Sequence, residues 1–308
     1  MDGVICIDKQ AGMTSHDVVA QARRILNQRR VGHAGTLDPF ATGLLVLLVG
    51  RATRLTQFLT GLEKEYEAII RLGFATDTAD RTGTPISEVA TRQEWTAVQI
   101  EEALASLRGE IDQVPPMYSA KKQGGRKLYE LARKGTEVDR APVRVSIHEF
   151  EPLKPKGQWL KDNLDGTVDF EVRVVCSSGT YIRTLAEDFG KQLNTGAHLA
   201  ELRRTRVGDF TIGEALTLVQ LKTRAAEEAL GKALYKPDDA LTRLPAIDVN
   251  DEDVRRIKHG MKLQVSDTKW ANGERVRIRD AAGNLIAVAT FDSETAMLHP
   301  SVVLTVED

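Results

Sequence analysis

The segment that most constrains this chain is Gly32-His33-Ala34-Gly35-Thr36-Leu37-Asp38-Pro39-Phe40-Ala41-Thr42-Gly43. It empties straight into the uncharged apolar run 44–49 and follows the basic stretch Asn27-Gln28-Arg29-Arg30. A polar, turn-rich segment that feeds buried structure is held on both sides, which suits a rigid functional loop. Proline disfavours the α region for the residue before it, so Asp38 is expected to be extended. Gly32, Gly35 and Gly43 permit backbone angles or close approaches that other residues resist. Two roles for Asp38 stay open on local chemistry: it starts a turn or caps 39–41, or it presents a carboxylate for catalysis.

A length of 308 residues suggests about two domains. The net charge of −2 announces no global basic field, so a nucleic-acid site must come from local clustering of the 42 Lys and Arg. Cys6 and Cys176 lie far apart and offer neither a disulfide framework nor metal-ligand spacing. They read as reduced thiols of a cytoplasmic protein, with no metal site expected. Asp2, Asp8 and Lys9 interrupt the start, so no signal peptide is expected, and the run 44–49 is too short to span a bilayer.

Along the chain, 4–7 reads as a buried strand. Thr14 and Asp17 have capping-box spacing before a helix with Val18, Ala22, Ile25 and Leu26 on one face. A helix is expected over 52–62, strands over 66–72, 143–150 and 169–176, and helices over 95–107, 128–134 and 216–234. Asp77, Asp80, Arg81 and Gly83 make a polar loop. The block 121–134 gathers Lys121, Lys122, Arg126, Lys127, Arg133 and Lys134 around Gly124-Gly125, with Tyr118 and Tyr129 interleaved. It reads either as a solvated loop or as a segment that clasps a polyanion. Residues 152–166 read as an exposed hairpin or loop, and 237–245 as a linker between prolines. Short strands are expected over 275–279, 285–291 and 302–306, after a short helix over 253–260. Arg275, Arg277 and Arg279 alternate, so they share one side of their strand, facing RNA or a salt-bridged sheet.

The loop 32–43, with Gly50-Arg51-Ala52-Thr53-Arg54 after it, resembles the signature of the tRNA pseudouridine synthase B (TruB) family, in its bacterial stand-alone form. Asp8-Lys9 with Gly12, Thr14 and Ser15, the block after Val114-Pro115-Pro116, and Gly179-Thr180-Tyr181-Ile182-Arg183 strengthen the match, which covers about residues 3–215. The resemblance implies an α+β fold: a mixed, largely antiparallel sheet with flanking helices and a central cleft. It implies a catalytic domain over 1–245 with a thumb-like insertion near 118–141, and a small β-rich, PUA-like RNA-binding domain over 246–308. It further implies an isomerase that converts the T-loop uridine of tRNA, position 55, to pseudouridine without a cofactor. Asp38 becomes the catalytic residue. Arg183 is its ion-pair partner, although by itself it reads as a surface arginine. Tyr66 stacks on the target base, Tyr181 is a second ring of the pocket, and Leu202 an apolar wall. Lys9, His33, Lys121, Lys122, Arg126 and Lys127 are implied RNA contacts, although Lys9 by itself reads as a solvated turn lysine. The implied partner is the tRNA T-arm, with no membrane and no obligate protein partner. Two other classes remain on the residues: a non-catalytic RNA-binding protein, which has no need of Asp38, and a glycosidase, which needs a second free carboxylate.

Overall fold

The computed structural model describes residues 1–86, 88, 94–119, 122–123, 126–127, 138–154, 159–266 and 269–304. Of the basic block, Lys121, Gly124, Gly125 and 128–137 lie outside the described residues, so the helix expected over 128–134 does too.

The main sheet comprises β1 (Gly3–Lys9), β2 (Val31–His33), β3 (Thr42–Val49), β4 (Lys64–Leu72), β5 (Gly109–Gln113), β8 (Val143–Pro152), β9 (Leu160–Asp162), β10 (Val168–Cys176), β11 (Ala197–Val207) and β12 (Phe210–Thr211). Its order is β1-β3-β11-β4-β10-β8-β5, with β2, β9 and β12 on β3, β10 and β11. Every pair is antiparallel except β3 with β11, which meet in parallel at Thr42–Arg203 and Gly43–Arg204. Between β5 and β8, β6 (Lys122–Gln123) and β7 (Arg126–Lys127) form a small hairpin of their own. The mixed, largely antiparallel α+β architecture is therefore the one expected.

Burial explains the patterns along the strands. β3 is buried on both faces, one side packing with Val18, Val19 and Ala22, the other with Ala52, Leu55 and Phe58. A strand covered on both faces is a continuous apolar run rather than an alternating one. β4 and β10 alternate because one face packs inward and the other, with Glu67, Arg71, Asp169 and Arg173, reaches solvent.

The helices are α1 (Ser15–Ile25), α2 (Thr56–Thr60), α3 (Ala97–Ser106), α4 (Ile182–Gln192), α5 (Leu218–Ala226) and α6 (Asp251–Lys258). Thr14 closes its expected capping box with Asp17. Two helices are shorter than the apolar spacing predicts. Over 52–62 a 3-10 turn, Gly50–Leu55, precedes α2, and the pattern 216–234 holds only α5 and a 3-10 turn at Gly231–Ala233. The first segment buries Ala52, Leu55, Phe58 and Leu59, which a tight 3-10 turn also achieves, whereas in the second Leu216, Leu221 and Leu230 are buried and Val219 is exposed. The 152–166 stretch contributes β9 to the sheet edge, and the expected last strand lies earlier, at Met297–Val303.

A second sheet, β13 (Ala246–Asp248), β15 (Arg275–Arg279), β16 (Leu285–Asp292), β17 (Met297–Val303) and β14 (Leu263–Gln264), forms the β-rich C-terminal unit with α6. The stretch 237–245 is not a loose linker. Ala240 and Leu241 are buried with Phe58 and Leu59, and Leu285, Val288 and Val302 join the same cluster. The alternating arginines serve this junction. Arg277 is buried on Asp238 at 2.7 Å, Arg275 stacks over Phe58, and Arg279 pairs with Asp248.

Candidate active site

The loop 34–41 is fastened from below before it presents anything. Ser15 Oγ accepts from Leu37 N–H at 2.9 Å and donates to Leu37 O at 3.2 Å. The Gly12 N–H donates to Pro39 O at 2.8 Å. Lys9 Nζ donates to the carbonyls of Met13, Gln10 and Pro39. Lys9 is only 1% exposed, so the solvated turn lysine is not what the chain builds. Burial pushes its pKa down to about 8. On the inner side Arg204, also buried, donates to Gly35 O at 3.0 Å and Leu44 O at 2.7 Å. Gly35 and Gly43 take positive φ angles of 98° and 99°, as left-handed turns in this loop require. Gly32 is different: its φ is not positive, and a Cβ there would meet nothing nearer than 3.9 Å.

Asp38 stands at the rim of a cleft lined by Phe40, Thr78, Asp80, Tyr118, Ser119 and Arg183, among others. Its backbone oxygen makes the expected turn with Ala41 N–H, but its side chain does not cap that turn. The carboxylate faces Arg183, with Nε 2.9 Å from Oδ2 and Nη2 3.4 Å from Oδ1. The Arg183 side chain is 4% exposed, so the surface reading of this residue is overturned. Its remaining donors are also engaged. Nη1 reaches Thr78 O at 3.0 Å and Asp80 Oδ2 at 3.6 Å, and Nη2 reaches Tyr118 O at 2.7 Å. A guanidinium with every N–H directed cannot swing away, so the carboxylate it holds has one orientation.

The pair does not make Asp38 an ordinary salt-bridged carboxylate. Its pKa is raised, because burial outweighs Arg183, while Asp80 adds repulsion and Lys9 attraction. A carboxylate less well solvated than one in water is a better nucleophile or base once ionised.

The polar loop noted in the sequence supplies the unexpected partner. Asp80 is buried, and its Oδ1 accepts from Thr78 Oγ1, Thr82 N–H and Thr82 Oγ1. Ala79 beside it takes a φ of +57°, and the loop is stitched to β11 through Leu199 N–H to Ala79 O and Arg81 N–H to Leu199 O. Such strain in a non-glycine residue persists only where the surroundings over-determine it. With its oxygens already committed, Asp80 is not the free second acid that a glycosidase needs. Nothing in the sequence alone marks Asp80, Arg204 or Gln113 as parts of the site. Gln113 exchanges side-chain hydrogen bonds with both Tyr181 N–H and Tyr181 O, which fixes the start of α4 and hence Arg183.

The other expected residues are placed variously. Tyr66 is buried on β4, in register with Arg204, and burial raises the pKa of its hydroxyl. Tyr66 and Tyr181 do not line the Asp38 cleft as it stands. Leu202 lines an adjoining hollow with Thr42, Arg81 and Phe40, the last shared with the cleft. His33 meets His16 edge to face at 5.5 Å, and burial pushes its pKa down to about 4. It is neutral at pH 7. Lys122, Arg126 and Lys127 fall on the β6–β7 hairpin, and Lys121 lies outside the described residues. Among the described residues no group of His, Cys, Asp or Glu could hold a metal ion.

A family model described as the N-terminal domain of TruB family pseudouridylate synthases matches residues 23–182, and one for the tRNA pseudouridylate synthase B C-terminal domain matches 183–242. The chain belongs to the TruB family. Two TruB relatives illustrate the extent of the likeness, both named tRNA pseudouridine synthase B. One from Bacillus pumilus is 41% identical over 99% of this chain and 98% of its own. One from Solibacter usitatus is 42% identical over 99% and 100%. Among solved structures, a chain of an H/ACA ribonucleoprotein bound to a substrate RNA containing 2′-deoxyuridine superposes with a TM-score of 0.73. It is 26% identical, over 99% of this TruB chain and 86% of that one. A chain of an archaeal box H/ACA Nop10-Cbf5 complex gives 0.72 at 28% identity, over 99% and 87%.

Proposed function

We infer that this chain is a tRNA pseudouridine synthase acting on the T-loop uridine at position 55, with Asp38 as its catalytic residue. The observation that carries the reading is the buried Arg183 holding Asp38 at 2.9 Å beside an open cleft. Isomerisation breaks the N1–C1′ bond, turns the base and joins C5 to C1′, with no redox step and no external group. Ionised Asp38 beside the ribose stabilises positive charge developing at C1′, attacks it, or removes a proton. A duplex or stacked loop hides C1′, so the nucleotide must leave its stack. Tyr66 and Tyr181, which do not line the cleft of the free protein, are the rings for the extruded base, and Leu202 is an apolar wall in the adjoining hollow. Neutral His33 fills space at the RNA surface rather than moving a proton. Lys9 holds the loop through three carbonyls; with all three N–H groups directed inward and the side chain buried, it is a loop anchor rather than the RNA contact that the resemblance implied. The basic hairpin contributes attraction for the phosphates of the T-arm.

The division into a catalytic domain over 1–245 and an RNA-binding domain over 246–308 fits this reading, as does a cytoplasmic, stand-alone enzyme. No described helix is long and apolar enough to cross a membrane. The test is to incubate the protein with unmodified tRNA transcripts and map the product nucleotide. Pseudouridine is expected at the T-loop position with wild-type protein and none with Asp38→Asn, while RNA binding persists in that variant. Substantial product from Asp38→Asn refutes the assignment.

A further inference from the structure

Among the residues lining the Asp38 cleft, Ser119 carries a buried polar atom that nothing satisfies. The residue is 4% exposed, and its Oγ has no hydrogen-bond partner. The other hydroxyls of the cleft are accounted for. Ser15 binds Leu37, Thr14 binds Asp17, Thr78 and Thr82 bind Asp80, and Thr36 and Tyr118 are exposed to water. A buried hydroxyl without a partner costs more than the alanine that could replace it. Its retention makes sense if the partner arrives with an occupant of the cleft.

The position of Ser119 says where on that occupant the partner lies. The preceding carbonyl, of Tyr118, accepts from Arg183 Nη2 at 2.7 Å, and the same nitrogen reaches Asp38 Oδ1 at 3.4 Å. Two acceptors on one nitrogen bring the 118–119 peptide beside the carboxylate. Whatever meets Asp38 therefore passes close to Ser119.

We propose that Ser119 is a substrate-contacting residue whose Oγ hydrogen-bonds an oxygen of the extruded nucleotide, either a ribose hydroxyl or a uracil carbonyl. This rests on the function proposed above. In the free protein the hydroxyl is a stability cost. In the complex it offsets part of the desolvation of the nucleotide.

The test compares Ser119→Ala with its parent in an Asp38→Asn chain, so that the RNA is not altered during binding. Melting temperature and affinity for a T-arm stem-loop are measured together. Ser119→Ala is expected to leave the melting temperature unchanged or raise it, and to weaken uridine stem-loop binding roughly fivefold to tenfold. A stem-loop with 2′-deoxyuridine at the target, and one with an abasic ribose there, separate the two sources. The loss disappears with the first if the ribose 2′-hydroxyl is the partner, and with the second if the base is. A lowered melting temperature with unchanged affinity makes the hydroxyl structural and overturns the proposal, as does unchanged affinity of any kind. A loss that persists with both analogues also overturns it. Failure of the wild-type protein to modify tRNA strikes the proposed function instead, and is scored separately.

Discussion

Arg183 and Asp38 are 145 residues apart in the chain, yet the Arg183 Nε lies 2.9 Å from Asp38 Oδ2. The arginine is shared, with Asp80, Thr78 O and Tyr118 O taking its other donors. A lysine keeps the charge but offers no planar fork to hold three elements at once. Arg183→Lys is therefore expected to lose at least about a hundredfold in single-turnover rate, corresponding to roughly 2.7 kcal/mol of transition-state stabilisation. Tritium release from 5-labelled uridine in tRNA measures it. A rate within threefold of wild type removes the positioning role.

The role proposed for Asp38 requires its ionised form, so single-turnover rate is expected to fall as pH drops through its raised pKa, above the ordinary value of 3.8. Because Asp80 contributes to the rise, Asp80→Asn moves the limb to lower pH. The stability consequence has the opposite sense. The folded state binds this proton more tightly than the unfolded chain, so the contribution of Asp38 to stability declines as pH rises from 3.8 through the raised value. A pH–rate profile of both proteins checks the first two statements, and pH-dependent denaturation checks the third. A limb that does not move in Asp80→Asn contradicts the electrostatic account.

Gly43 is tied to the parallel junction of β3 and β11. A Cβ there would stand 2.3 Å from Arg204 O and 2.7 Å from Arg204 N, at a φ of +99°. Gly43→Ala must either push β11 away or distort the loop, and is expected to cost more than about 2 kcal/mol. Gly32→Ala, with 3.9 Å of clearance, is the control and is expected to cost less than half as much. Urea denaturation midpoints of the two variants decide it, equal midpoints being the adverse result.

The basic hairpin makes a claim about salt. Replacing Lys121, Lys122, Arg126 and Lys127 together by glutamine is expected to weaken RNA binding most at low salt. The slope of log affinity against log salt should flatten by about 0.7–0.9 for each phosphate left without its cation. An unchanged slope in filter-binding titrations removes this segment from the RNA interface.

Much of the local architecture can be read directly from the residues. The Thr14–Asp17 box, the doubly buried run of β3 and the alternation of β4 and β10 follow from capping and periodicity. At 52–62 and 216–234 the apolar spacing fits a 3-10 turn as well as an α-helix, so periodicity cannot separate them. Arg277 shows a different limit. Its alternation with Arg275 and Arg279 is legible, but the buried Asp238 it meets lies on a stretch that reads as a linker.

The sequence by itself determined the loop that carries Asp38, because proline, glycine and the apolar run after it act through neighbouring dihedral angles and burial. Only the tertiary structure decided which side chains surround that carboxylate. Arg183 and Asp80 reach it from α4 and from a loop stitched to β11, while Arg204, on β11 itself, holds the loop through Gly35 O, and sheet order rather than spacing brings them together. The same distinction governs ionisation: an aspartate has an ordinary pKa in any sequence, and the raised value of Asp38 comes from burial that long-range packing imposes.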